Sequence, residues 1–252
     1  MNRLQLLADS PETNPQTDER HGKAVLTPPI DVAYGLFAPL HYEPNYAYPL
    51  LVWLHGPHGD EHELFRVIPE ISVRNYVGVG PRGNRMMEDS RGYRWEGAAG
   101  GVISAEQHVF DAIDAASERY NVASDRVFLA GFEAGGTMAV RIGLRNPHCF
   151  AGVMSIGGPF PLGGAPLSQL DNARQLPLFF AQGRDSENYP IDLACQELRL
   201  FHTAGLGVTV RQYPCGDEVD TQMLKDMDMW IMEHVTGTTS SEKPTFFLGD
   251  AD

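Results

Sequence analysis

The chain has 252 residues, 42% hydrophobic and 21% charged, which suits one large or two small globular domains with a substantial buried core. Its formal net charge of -14 opposes nucleic-acid phosphates and anionic lipid surfaces, so neither is an expected general partner. No apolar run approaches the roughly 20 residues needed to span a bilayer, the first ten residues lack the apolar centre of a secretion signal, and three cysteines without metal-ligand spacing read as reduced thiols of a cytoplasmic protein.

Residues 1–28 are rich in Pro, Thr, Asn, Asp and Glu and show no periodicity, so they read as an N-terminal arm. A single domain is expected over residues 29–236, followed by a polar tail at 237–252. Short apolar runs predict strands at Val32 to Phe37, Leu50 to Leu54, Tyr76 to Val79, Val127 to Ala130, Gly152 to Ser155, Leu178 to Ala181 and Val208 to Tyr213. Helical patterns fall between most of them. One runs from Ser104, opening on a Ser-x-x-Gln capping box, to Tyr120; another continues from Thr137 to Arg145. Ile191, Ala194, Leu198 and Phe201 follow a helical stripe that Gly205 can close. A last helix from about Thr221 to His234 puts Met223, Met227, Trp230 and Ile231 on one face, which reads as core packing. Alternating strands and helices of this kind predict an α/β fold, a mostly parallel central sheet with helices on both faces, whose ligands gather at the carboxyl ends of the strands.

The sharpest local feature lies at such a strand end. Gly131-Phe-Glu-Ala-Gly-Gly136 follows an apolar strand and precedes a helix, the setting of the nucleophile elbow Gly-x-Ser-x-Gly, but the presented residue is Glu133 instead of serine. Three further motifs stand in order along the chain. His55-Gly56 follows the second strand, Gly183-Arg-Asp185 is followed by Pro190, and Tyr213-Pro-Cys-Gly-Asp217 precedes the Trp-bearing helix. With these spacings, residues of about 45–235 resemble the phospholipase/carboxylesterase branch of the α/β-hydrolases, which includes the acyl-protein thioesterases.

The resemblance implies the α/β-hydrolase fold and hydrolysis of carboxylic esters or thioesters by a Ser-Asp-His triad. It assigns the nucleophile position to Glu133, the acid to Asp185 and the general base to Asp217, so only the acid matches. An aspartate of ordinary pKa is already ionised at neutral pH and is a poor proton acceptor for a hydroxyl. The resemblance also implies an oxyanion hole from the N–H of Ala134 and the residue after His55-Gly56. That residue is Pro57, which has no N–H, leaving His58 as a substitute.

Three converging carboxylates would need raised pKa values or a compensating cation. Arginines of the 82–94 loop and Arg184 are the favoured source, ahead of a divalent metal, and Arg94 and Trp95 are expected to border the pocket. His55, His58 and His62 do not have the spacing of a structural zinc site. No cofactor or resident metal is expected. The pattern therefore points to a pseudoenzyme, or a severely impaired esterase, whose pocket still takes a small-molecule or protein ligand. The alternative is hydrolysis by carboxylate or metal-assisted chemistry at Glu133, Asp185 and Asp217.

Overall fold

A computed structural model describes residues 33–88 and 91–237. The arm at 1–28, and the tail at 237–252 apart from Gly237, lie outside the described residues. In chain order the elements are β1 (Tyr34–Phe37), β2 (Tyr48–Leu54), α1 (Leu64–Ile71), β3 (Val77–Pro81), β4 (Arg85–Met86), β5 (Tyr93–Arg94), α2 (Ala99–Arg119), β6 (Val122–Phe132), α3 (Ala134–Arg145), β7 (Gly152–Ile156), α4 (Leu170–Ala173), β8 (Leu178–Gly183), α5 (Ile191–Ala204), β9 (Val208–Tyr213) and α6 (Thr221–Thr236).

Among the described residues, seven strands form one sheet in the order β1-β3-β2-β6-β7-β8-β9. Every pairing is parallel except β1 with β3. All residues of β2, β3, β7 and β8 are buried, as expected for strands covered on both faces. The strand period of two divides their side chains between two cores. Leu50, Val52 and Leu54 of β2 join Val127 and Leu129 of β6 under α2, α3 and α5. Leu51 and Trp53, with Phe128 and Ala130, pack against α1 and α6. The methionine and tryptophan stripe of α6 enters this second core, as its spacing predicts.

One local expectation needs correction. Helix α2 starts at Ala99, five residues before the Ser104 capping box, and its N-cap Ala98 makes no side-chain cap. Gly100 and Gly101 weaken helix propensity, but Val102, Ala105, Val109, Ala112 and Ala116 bury one continuous face, and that packing carries the helix through them. Helix α1, for which no element is predicted from the sequence, buries Leu64, Val67, Ile68 and Ile71 at i, i+3, i+4 and i+7 despite Pro69 within it. The arginine-rich loop after β3 contains the β4-β5 hairpin, and Tyr93 N–H donates to Gly59 O at 2.9 Å, which docks it on the loop after β2. No helix among the described residues is long and apolar enough to cross a membrane.

Candidate functional site

Strand β6 runs straight into α3 through Glu133. The turn is tight: a Cβ on Gly135 would lie 2.2 Å from Leu54 O, and one on Gly131 would lie 2.5 Å from the Gly135 carbonyl carbon. Glu133 itself has φ 44° and ψ -112°, a region that a side-chain-bearing residue enters only under local constraint. Two backbone bonds hold it there, Glu133 N–H to Ile156 O at 2.8 Å and Thr137 N–H to Glu133 O at 2.9 Å. This is the strained strand-turn-helix geometry of a nucleophile elbow, with a carboxylate presented.

The Glu133 carboxylate is half-buried and accepts one long bond, 3.4 Å, from Asn188 Nδ2. Burial is the main reason its pKa rises above the ordinary carboxylate value, and the nearby negative charges of Asp217 and Glu63 push it the same way. Asp217, on the loop after β9, has the opposite environment. It accepts a short bond from the Ser186 hydroxyl and backbone bonds from Glu187 at 3.0 Å and Asn188 at 3.3 Å. The Ser186 bond is the first reason its pKa is depressed.

Asp185 does not join them. Its side chain is exposed and pairs at 3.3 Å with its neighbour Arg184, while the next residue, Ser186, turns inward to meet Asp217. The expected gathering of three acids is thus an arrangement of Glu133, Asp217 and Ser186 spanned by Asn188. Among the described residues no arginine pairs with Asp217, whose oxygens accept from neutral donors. Arg184 does pair with Asp185, one of the three acids, whereas Arg82 and Arg85 pair with Glu61 and Glu96.

On the other side of the elbow, His55 is buried. Its Nδ1 lies 2.8 Å from Gly56 O and its Nε2 accepts from Gly83 N–H at 2.9 Å, which requires the neutral ring protonated at Nδ1. Burial holds its pKa below the usual histidine value. Both nitrogens are engaged in fixing the loop, so His55 is a structural residue. The Gly56 N–H donates to the Glu63 carboxylate at 3.1 Å, which also accepts from Trp53 Nε1 at 2.9 Å. Pro57 and His58 are exposed, and His58 adopts φ 59°. Ala134 opens α3, where a backbone N–H has no acceptor within the helix.

A cavity of about 330 Å³ opens beside the elbow, lined by Glu133, Ala134 and Asn188 together with Trp95 and Pro159. Thr137, Met138 and Arg141 of α3 also face it. Trp95 is buried, tilts against the His55 ring at 5.1 Å between centroids, and donates Nε1–H to His55 O at 3.0 Å. Arg94 is in β5 and does not line the cavity. Thr137 and Arg141 escaped the sequence reading, although they stand four and eight residues beyond Glu133, the spacing of one helix face. Ser186 and Asn188 lay among the unspecified positions of the loop before Pro190 and carried no such signal.

Among the described residues one acidic and histidine group has metal-like proximity, Asp60, Glu61 and His62. Glu61 is already ion-paired with Arg82, and His62 is exposed at 3.3 Å from Asp60. His55 and His62 do not form a common ligand set.

The sequence matches the phospholipase/carboxylesterase family over residues 44–235. It is 22% identical over 144 residues to a probable carboxylesterase of Oryza sativa subsp. japonica, an alignment covering 56% of this chain and 54% of the rice protein. The chain thus spans about half the length of that curated relative. In three dimensions it resembles a Bacillus cereus carboxylesterase, with a TM-score of 0.65 at 16% identity, covering 82% of this chain and 96% of that one. The Arabidopsis thaliana protein SOBER1 superposes with a TM-score of 0.64 at 18% identity, covering 75% and 100%. At these identities the structural likeness speaks for the fold, and the match over residues 44–235 speaks for the lineage. This chain belongs to the phospholipase/carboxylesterase family and has the α/β-hydrolase fold.

Proposed function

We propose that this protein binds a ligand in the cavity beside the elbow and does not carry out serine-dependent ester hydrolysis. The observation that carries this reading is the trio at the strand ends. The elbow presents Glu133, the loop after β9 presents Asp217, and the side chain bonded to Asp217 is Ser186. On this reading the acid position of the family belongs to Ser186 rather than Asp185, because the acid of a triad is the group that orients the base. All three triad positions then differ from a serine hydrolase.

The chemistry follows residue by residue. Glu133 has no hydroxyl to attack a carbonyl. Asp217 is held ionised by three hydrogen bonds and has little affinity for a proton at neutral pH. No histidine lines the cavity among the described residues. A negative Glu133 beside the Ala134 N–H repels the oxyanion that this donor would stabilise, and the Gly56 N–H is occupied by Glu63. Three free cysteines, two of them exposed, support a reducing, cytoplasmic setting.

The test is hydrolysis of p-nitrophenyl esters from acetate to octanoate. The expected result is no turnover above buffer for the wild type. Turnover that disappears in Glu133→Gln would overturn the proposal in favour of a second reading, in which the Glu133 carboxylate is itself the catalyst. The raised pKa of Glu133 is the observation that favours that alternative. The combined variant Glu133→Ser, Asp217→His and Ser186→Asp should gain esterase activity if the fold still supports the family reaction.

A further inference from the structure

Two oppositely charged residues line the cavity, and neither forms an ion pair among the described residues. Glu133, the residue before α3, and Arg141 of α3 both line it, as do Thr137 and Met138, which lie between them in the chain. Eight residues of helix separate their Cα atoms by about 12 Å, two turns and a little more. Arg141 is only 8% exposed, and its guanidinium donates to Leu162 O at 2.7 Å and Gly163 O at 2.9 Å. A guanidinium has five N–H donors, so these two bonds leave three for another partner. Neutral carbonyls satisfy donors but do not neutralise a buried cation, which is costly to keep without an anion. Glu133 is the mirror case: a half-buried carboxylate whose one hydrogen bond is a long contact with an amide, facing further negative charge.

Resting on the ligand-binding reading above, we infer that the cavity takes a dipolar ligand, with an ammonium group on Glu133, a carboxylate on Arg141 and an apolar spacer between. The lining suits the spacer, since Trp95, Met138 and Pro159 offer apolar surface in the same cavity. An ammonium relieves the crowding of negative charge around Glu133. A carboxylate takes the remaining Arg141 donors in the geometry that guanidinium favours. The net charge of such a ligand is zero, matching that of the two residues that hold it.

The experiment is isothermal titration calorimetry of the full chain with ω-amino acids from aminobutyrate to aminododecanoate. Alkylamines and alkyl carboxylates of equal length serve as single-ended probes. One member of the amino-acid series should bind at least about tenfold more tightly than either single-ended probe, and Glu133→Gln should reduce it to the level of the carboxylate alone. Arg141 also fastens the 162–163 loop, so its replacement can disturb folding; the charge reversal Glu133→Lys avoids that. It should transfer the preference from the ω-amino acid to the dicarboxylate of the same length. Binding of carboxylates with no gain from the amine, no binding by any member, or affinity unchanged in Glu133→Gln would each overturn the inference. The p-nitrophenyl ester assay reports separately on the absence of hydrolysis, so the failure of one reading is distinguishable from the failure of the other.

Discussion

Asp217→Ala removes the acceptor that organises the loop carrying Ser186, Glu187 and Asn188, and its cost can be worked from the three bonds. Ser186 is only 9% exposed, so water cannot easily replace Asp217, and losing a desolvated bond to a charged acceptor costs about 2 kcal/mol. Glu187 and Asn188 are exposed, so solvent restores most of their backbone bonds and each contributes about 0.3 kcal/mol. The sum of about 2.5 kcal/mol lowers Tm by roughly 5–10 °C for a domain of this size. The pH dependence supplies a second check. The folded pKa of Asp217 is depressed, so its stabilisation is present above the unfolded value, near 3.9, and is lost as pH falls through the folded value. Thermal melts of wild type and Asp217→Ala at neutral pH and at about pH 3 should therefore show a gap that narrows in acid. Equal Tm values at neutral pH, or a gap of constant size across the range, would refute the reasoning. Asp217→His vacates the same acceptor, which is why the combined variant proposed above includes Ser186→Asp.

Three further outcomes follow from the same geometry. Glu133→Gly should stabilise the fold by about 1 kcal/mol in urea unfolding, because glycine adopts φ 44° without the strain that glutamate carries there. Gly135→Ala should destabilise by about 3 kcal/mol or prevent soluble expression, since the new Cβ meets the backbone of Leu54 and His55 rather than a movable side chain. Glu197 is buried and bonds the Tyr189 hydroxyl and the Phe160 N–H, and burial raises its folded pKa. Its contribution is fully present below the unfolded carboxylate value, near 4.3, and is lost as pH rises through the folded one, so Glu197→Gln should flatten the decline in Tm from mildly acid to neutral pH.

Much of the molecule was legible in the order of residues because burial imposes periods on a chain. Continuous apolar runs marked the strands covered on both faces, the Met223 to Ile231 stripe marked a core helix, and the spacing of Gly131, Gly135 and Gly136 marked the elbow. That Glu133 stands in the elbow motif, and Asp217 where the resemblance expects a base, required no coordinates. What escaped belongs to contacts between segments far apart in the chain. A loop has no fixed side-chain period, so whether Asp185 or Ser186 faces Asp217 was decided by the backbone path of the turn after β8. That path sends one side chain to solvent and its neighbour inward. The same holds for Glu63 taking the Gly56 N–H and for His55 having both nitrogens engaged, since hydrogen bonding depends on distance and direction that composition does not encode. Arg141 is the clearest case. In sequence it is one more basic residue near the end of a helix, and only the packing of α3 under the 162–163 loop makes it a buried cation lining the same cavity as Glu133.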